Sequence, residues 1–157
     1  MKQLPYIAAF GTLSGLVWAL VPGTLTESWR SLEVTATILI AGLAAGLATS
    51  FLLAKPLRKV SWKWVPLLGL GSLPLGAFLY GLFIGSLRFL MNSVTGTPFG
   101  REPEWHYPIE MGGFYAFGVF TYYFPYVLIP LAILTTWSLR WVLLKFGKDN
   151  ATPAAHA

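Results

Sequence analysis

The sequence predicts an all-α integral membrane protein with four transmembrane helices, both termini cytoplasmic, and a last helix that is long and proline-kinked. Three observations carry that expectation. The 157 residues are 55% hydrophobic and only 11% charged, whereas ordinary soluble domains carry about 25% charged residues. So few charges could not clothe a soluble surface. Four stretches free of Asp, Glu, Lys and Arg each meet the roughly 20 apolar residues needed to cross a ~30 Å hydrocarbon core. Finally, the basic residues gather at alternate ends of those stretches, as the positive-inside rule requires.

The first span covers about 4–22. Its uncharged run is Leu4 to Thr26, and the core YIAAFGTLSGLVWALV ends at Pro22-Gly23. One lysine precedes it and WALVPGT lacks a small-x-small cleavage pattern, so it reads as a retained helix, not a signal peptide. The second span, 34–54, is the run Val34 to Ala54 and is expected to stop at Lys55 and Pro56. The third, 64–88, contains the run Pro66 to Leu87 and is expected to stop at Arg88.

The fourth span, 112–144, holds the uncharged run Met111 to Leu139. At 1.5 Å per residue that run measures about 43 Å, more than one straight crossing. Pro125 and Pro130 each remove a backbone donor and favour a bend. The expectation is therefore one bent or strongly tilted helix starting at Gly112-Gly113 near the outer interface. Residues 1–149 would form a single domain, and the polar tail NATPAAHA, 150–157, would be a frayed end.

Placing the N-terminus inside puts Lys2, Lys55, Arg58, Lys59, Lys63, Arg140, Lys145 and Lys148 on the inner face. The outer face then holds Arg30, Arg88 and Arg101, together with Glu27, Glu33, Glu102, Glu104 and Glu110. Trp18, Trp29 and Trp105 fall at outer ends and Trp62, Trp64, Trp137 and Trp141 at inner ends, matching the aromatic belts of a bilayer. A basic inner face attracts anionic lipid, which accounts for the net charge of +5 without nucleic acid. The expected location is the multi-pass cytoplasmic (inner) membrane of a bacterium.

In lipid, close backbone approach replaces apolar burial as the packing force. Gly11 and Gly15, Gly42 and Gly46, and Gly81 and Gly85 form small-xxx-small pairs in the first three spans. They are helix-packing candidates, either among these helices or, for the stripe AGLAAGLATS, against another protein. The third span adds Gly69, Gly71 and Gly76, with Pro74 as a kink. The outer half of the last span, FYAFGVFTYYFPY, offers an aromatic surface through Tyr115, Tyr122, Tyr123 and Tyr126. Such a surface suits an interfacial anchor, a lipid or quinone-like ligand, or a partner helix.

Little here points to chemistry. Cysteine is absent, which excludes disulfides, thiolate zinc and iron–sulfur ligation. No phosphate loop, HExxH or GxSxG occurs. No acid, base or histidine falls within the four uncharged runs, as an intramembrane relay would need. Polar atoms at depth are hydroxyls: Thr12, Ser14, Thr37, Thr49, Ser50, Ser72 and Thr121. These can bond back to their own helix. The outer loop collects Arg88, Arg101, Glu102, Glu104, His106 and Glu110. An extended backbone would point Glu104 and His106 the same way, which would suit a general base or a cation ligand set. Stiffened by Pro98, Pro103 and Pro108, the loop reads more simply as solvated charge or a docking surface. The expected function is a non-catalytic subunit or accessory of a larger membrane complex, with no cofactor and no metal. Its partners would be membrane lipid and other membrane subunits. The alternatives are a homo-oligomeric channel or small transporter and, less favoured, an outer-leaflet enzyme using Glu104, His106 and Glu110.

Overall fold

The computed structural model describes residues 3–25, 32–95, 104–121 and 125–148. Its elements are α1 (Leu4–Leu25), α2 (Leu32–Lys59), a 3-10 turn (Trp62–Trp64), α3 (Val65–Thr95), α4 (Tyr107–Thr121) and α5 (Pro125–Lys148), with no strand among the described residues. Three helical stretches, Leu32–Lys59, Trp62–Val94 and Pro125–Phe146, are long and apolar enough to cross a membrane, and Leu4–Leu20 is a shorter apolar segment. By length and composition the chain is thus an all-helical, multi-pass membrane protein.

Every helix departs from its predicted limits. α1 continues through Pro22-Gly23 to Leu25. α2 runs past Lys55 and Pro56 to Lys59. Pro56 deletes one helical donor, yet Leu57 beyond it is completely buried, and Val60 still donates to the Pro56 carbonyl at 3.1 Å. α3 does not stop at Arg88 but extends to Thr95, because a charge ends an apolar run without breaking a helix. At about 46 Å, α3 exceeds the thickness of the hydrocarbon core. Pro74 lies inside it, and Pro66 takes its second position, where a missing N–H costs nothing.

The largest difference concerns the last span. In place of one helix from Gly112, the structure has two: α4 begins at Tyr107, and α5 restarts at Pro125. Proline is favoured at a first helical position because its φ is preset and its missing donor would be unpaired there. α4, about 22 Å long, is too short to cross a bilayer core alone.

α3 is the central element, touching α2, α4 and α5. α4 lies against its C-terminal half, where Gly81 and Gly85 meet Met111 and Pro108. α5 lies against its N-terminal half, through Leu73, Leu128 and Ala132 and through Val65 and Leu139. α1 and α2 pack antiparallel. A Cβ at Gly11 would fall 2.9 Å from Leu47 Cα, and one at Gly46 would fall 2.5 Å from Gly15 Cα. At the basic end, Ile7, Leu53, Leu57, Val65, Leu139 and Leu143 form a core. Tyr6 stacks on Phe146 there, with ring centroids 4.1 Å apart. Both ends of the described chain therefore meet at the same end of the bundle.

Candidate functional site

The six candidate packing glycines all sit at contacts within this chain. Gly11, Gly15, Gly42 and Gly46 line the α1–α2 seam, and a Cβ at Gly42 would stand 2.8 Å from the Gly15 carbonyl oxygen. Gly81 and Gly85 line the α3–α4 seam, where a Cβ at Gly85 would stand 2.6 Å from Pro108 Cα. Real Cβ atoms essentially never approach other atoms that closely, so these positions demand glycine.

The turn that leads into α4 brings Glu104, His106 and Glu110 together, by a route other than an extended strand. Residues 104–106 form a turn, closed by Tyr107 N–H donating to the Glu104 carbonyl at 2.9 Å. His106 Nε2 then lies 3.2 Å from Glu110 Oε1 and 3.5 Å from Glu104 Oε2. The His106 carbonyl also accepts from the Ile109 and Glu110 N–H groups, at 3.0 and 3.1 Å, which starts α4. Glu110 in the first turn complements the positive helix terminus. The trio is largely exposed, and exposed pairs of this kind contribute about 0–1 kcal/mol. Among the described residues no group of three acidic, histidine or cysteine side chains is placed to hold a metal ion. Arg88 is exposed and pairs with none of the described glutamates. Arg101 and Glu102 lie outside the described residues, as do Glu27, Trp29, Arg30 and the tail 150–157.

The aromatic surface divides. Tyr115 turns inward and packs edge-on to Tyr80, with centroids 5.3 Å apart. Phe114, Phe117 and Tyr126 are exposed, while Tyr122 and Tyr123 lie outside the described residues. Ile109, Gly113 and Phe117 follow at four-residue spacing on the outward face of α4, with Trp105 on the turn before them. Trp105 is 79% exposed and Phe117 69%, and nothing approaches within 4 Å of a Cβ at Gly113. α4 packs on α3 and lightly on α5, and among the described residues on neither α1 nor α2. The result is an apolar stripe with a notch at its centre.

Three residues carry more than their sequence context suggests. Trp18, expected in the outer belt, is half-buried against Leu73, Leu128 and Ala132. Arg140, expected as one more inner-face cation, is only 6% exposed. It donates from Nη1 to the carbonyls of Leu57, at 3.0 Å, and Val60, and its guanidinium lies 4.6 Å from the Trp62 ring centroid. The last carbonyls of α2 have no helical donor, so Arg140 satisfies one that is unavoidable and places its charge at the favourable helix end. The chain around Arg140 carried no signal for this, because the ring and the carbonyls it meets lie far away in the sequence.

The third is Thr49. It faces a chamber of about 110 Å³ at the centre of the bundle, lined by all five helices, with Trp18, Tyr80 and Tyr115 among its walls. Thr12, Thr37 and Thr135 return their hydroxyl protons to the carbonyls of Ala8, Glu33 and Leu131, each at 2.9 Å. The Thr49 hydroxyl is buried with no partner. No family model, curated protein or solved structure matches this chain.

Proposed function

We propose that this chain is a non-catalytic accessory subunit of a larger complex in the bacterial cytoplasmic membrane. Its basic end and both termini face the cytoplasm, and α4 and α5 together make a fourth, broken crossing. The observation that carries the reading is the outward face of α4: an apolar stripe of Trp105, Ile109 and Phe117, exposed and interrupted by the open Gly113. A small residue between large ones lets a second helix approach closely, which is how membrane helices associate. The small-xxx-small pairs Gly11/Gly15, Gly42/Gly46 and Gly81/Gly85 are already engaged within the chain. The open Gly113 between large exposed apolar side chains gives α4 a face to offer.

Purification of the tagged chain in a mild detergent, with native mass measurement, tests this. The expected species contains one other membrane polypeptide in fixed ratio, and it dissociates on Gly113→Leu. A Cβ at Gly113 meets no atom within 4 Å, and thermal unfolding checks that the variant keeps its fold. A monomer, or a complex indifferent to Gly113→Leu, would contradict the proposal. A homo-oligomer with no other polypeptide would favour the channel or transporter.

A further inference from the structure

We propose that the central chamber is a binding site for a small lipid-soluble ring carbonyl compound of the quinone class, whose carbonyl oxygen accepts a hydrogen bond from the Thr49 hydroxyl. Three observations converge on this ligand. The first is size: the chamber measures about 110 Å³, and an apolar protein cavity of roughly 150 Å³ accepts benzene. It is therefore of the order of one ring.

The second is the chemistry of the wall. It is predominantly apolar, with the aromatic faces of Trp18, Tyr80 and Tyr115. The Ser14, Ser72 and Thr135 hydroxyls on it are already bonded to carbonyls of their own helices. A flat apolar ring finds stacking surfaces.

The third is the orphan hydroxyl. A buried donor without an acceptor costs about 1–3 kcal/mol, and threonines in helices ordinarily avoid this by bonding to their own preceding turn. Thr49 does not. Its Oγ1 looks across to α3, where Gly76 supplies no side chain. A Cβ there would lie 3.6 Å from Thr49 Oγ1 with no other atom within 4 Å. On the same wall, Ser72 donates to the Gly69 carbonyl at 2.8 Å and its oxygen lies 3.4 Å from the Thr136 hydroxyl, whereas the Thr49 hydroxyl meets neither. A ligand carbonyl supplies the missing acceptor.

The test uses p-xyloquinone and its hydrocarbon counterpart p-xylene, measured by equilibrium dialysis against the purified full-length protein, with empty micelles as the partition control. Saturable p-xyloquinone binding is expected. Thr49→Val, which keeps the shape and removes the hydroxyl, should weaken it about threefold to tenfold and leave p-xylene binding unchanged. Gly76→Ala, which the backbone accommodates, should weaken both ligands by occupying the chamber. Thermal unfolding of each variant confirms folding, and Thr49→Val should melt no lower than the parent. Binding no greater than to empty micelles would overturn the proposal. Quinone affinity identical in the parent and a folded Thr49→Val would do so equally.

Discussion

Replacing Gly46 with alanine should separate α1 from α2. A Cβ at that position falls 2.5 Å from Gly15 Cα, whereas ordinary contact begins at 3.4 Å, a shortfall of about 0.9 Å against backbone atoms. Backbone cannot rotate away as a side-chain tip can, so the helices must move apart by that order. A gap of 0.5–1 Å already forfeits a quarter to a half of each dispersion contact, and it opens along the whole seam from Gly11 to Ala19. Overpacking of this kind costs about 1–3 kcal/mol, or roughly 2–4 °C of Tm per kcal/mol for a chain of this length. The comparison is Gly71→Ala on α3, where nothing lies within 4 Å. Alanine there removes the conformational cost of a helical glycine, about 0.5–1 kcal/mol, so that variant should melt at or above the parent. Thermal unfolding followed by size-exclusion chromatography in detergent reads both. Equal melting of the two variants, or a larger loss at Gly71, would refute the seam.

Other perturbations have equally definite outcomes. Gly85→Ala, whose Cβ would sit 2.6 Å from Pro108 Cα, should loosen α4 from α3 and raise hydrogen exchange in Tyr107–Thr121 while α1 and α2 stay protected. Arg140→Leu leaves the Leu57 and Val60 carbonyls without their donor and should destabilise the detergent-solubilised protein by about 1–3 kcal/mol. Arg140→Lys should not restore the loss, because an ammonium lacks the planar fork. His106→Ala should change stability by less than about 1 kcal/mol, as exposed pairs do; a larger loss would mean the turn before α4 is structural. A double-mutant cycle between Tyr6 and Phe146, stacked at 4.1 Å, should return a coupling of about 0.5–1.5 kcal/mol.

The apolar runs were legible in the sequence because charge is costly in lipid. Helix ends were not, because the lipid boundary and the helix terminus are different events. Arg88 and Lys55 mark the edge of an apolar run, yet α3 and α2 continue beyond them. Pro22 and Pro56 lie inside helices, whereas Pro125 opens one. A proline's effect depends on whether its neighbours are held by packing, as buried Leu57 is. Glycine spacing identified the close contacts but not their partners, since any small pair could serve. The roles of Arg140, Trp18 and Thr49 were invisible because each is defined by residues far away in the chain. The meeting of Glu104 and His106 was anticipated, but through an extended backbone; a turn brings it about instead.

The proposed topology puts the basic end of this multi-pass protein in the cytoplasm. The natural sequence has no cysteine, so single-cysteine variants report cleanly. Labelling of Ser61→Cys, Glu104→Cys and Lys148→Cys with a membrane-impermeant maleimide in intact spheroplasts should modify only Glu104→Cys, with the other two reacting after lysis. Labelling of Ser61→Cys or Lys148→Cys in intact spheroplasts, or protection of Glu104→Cys there, would contradict it.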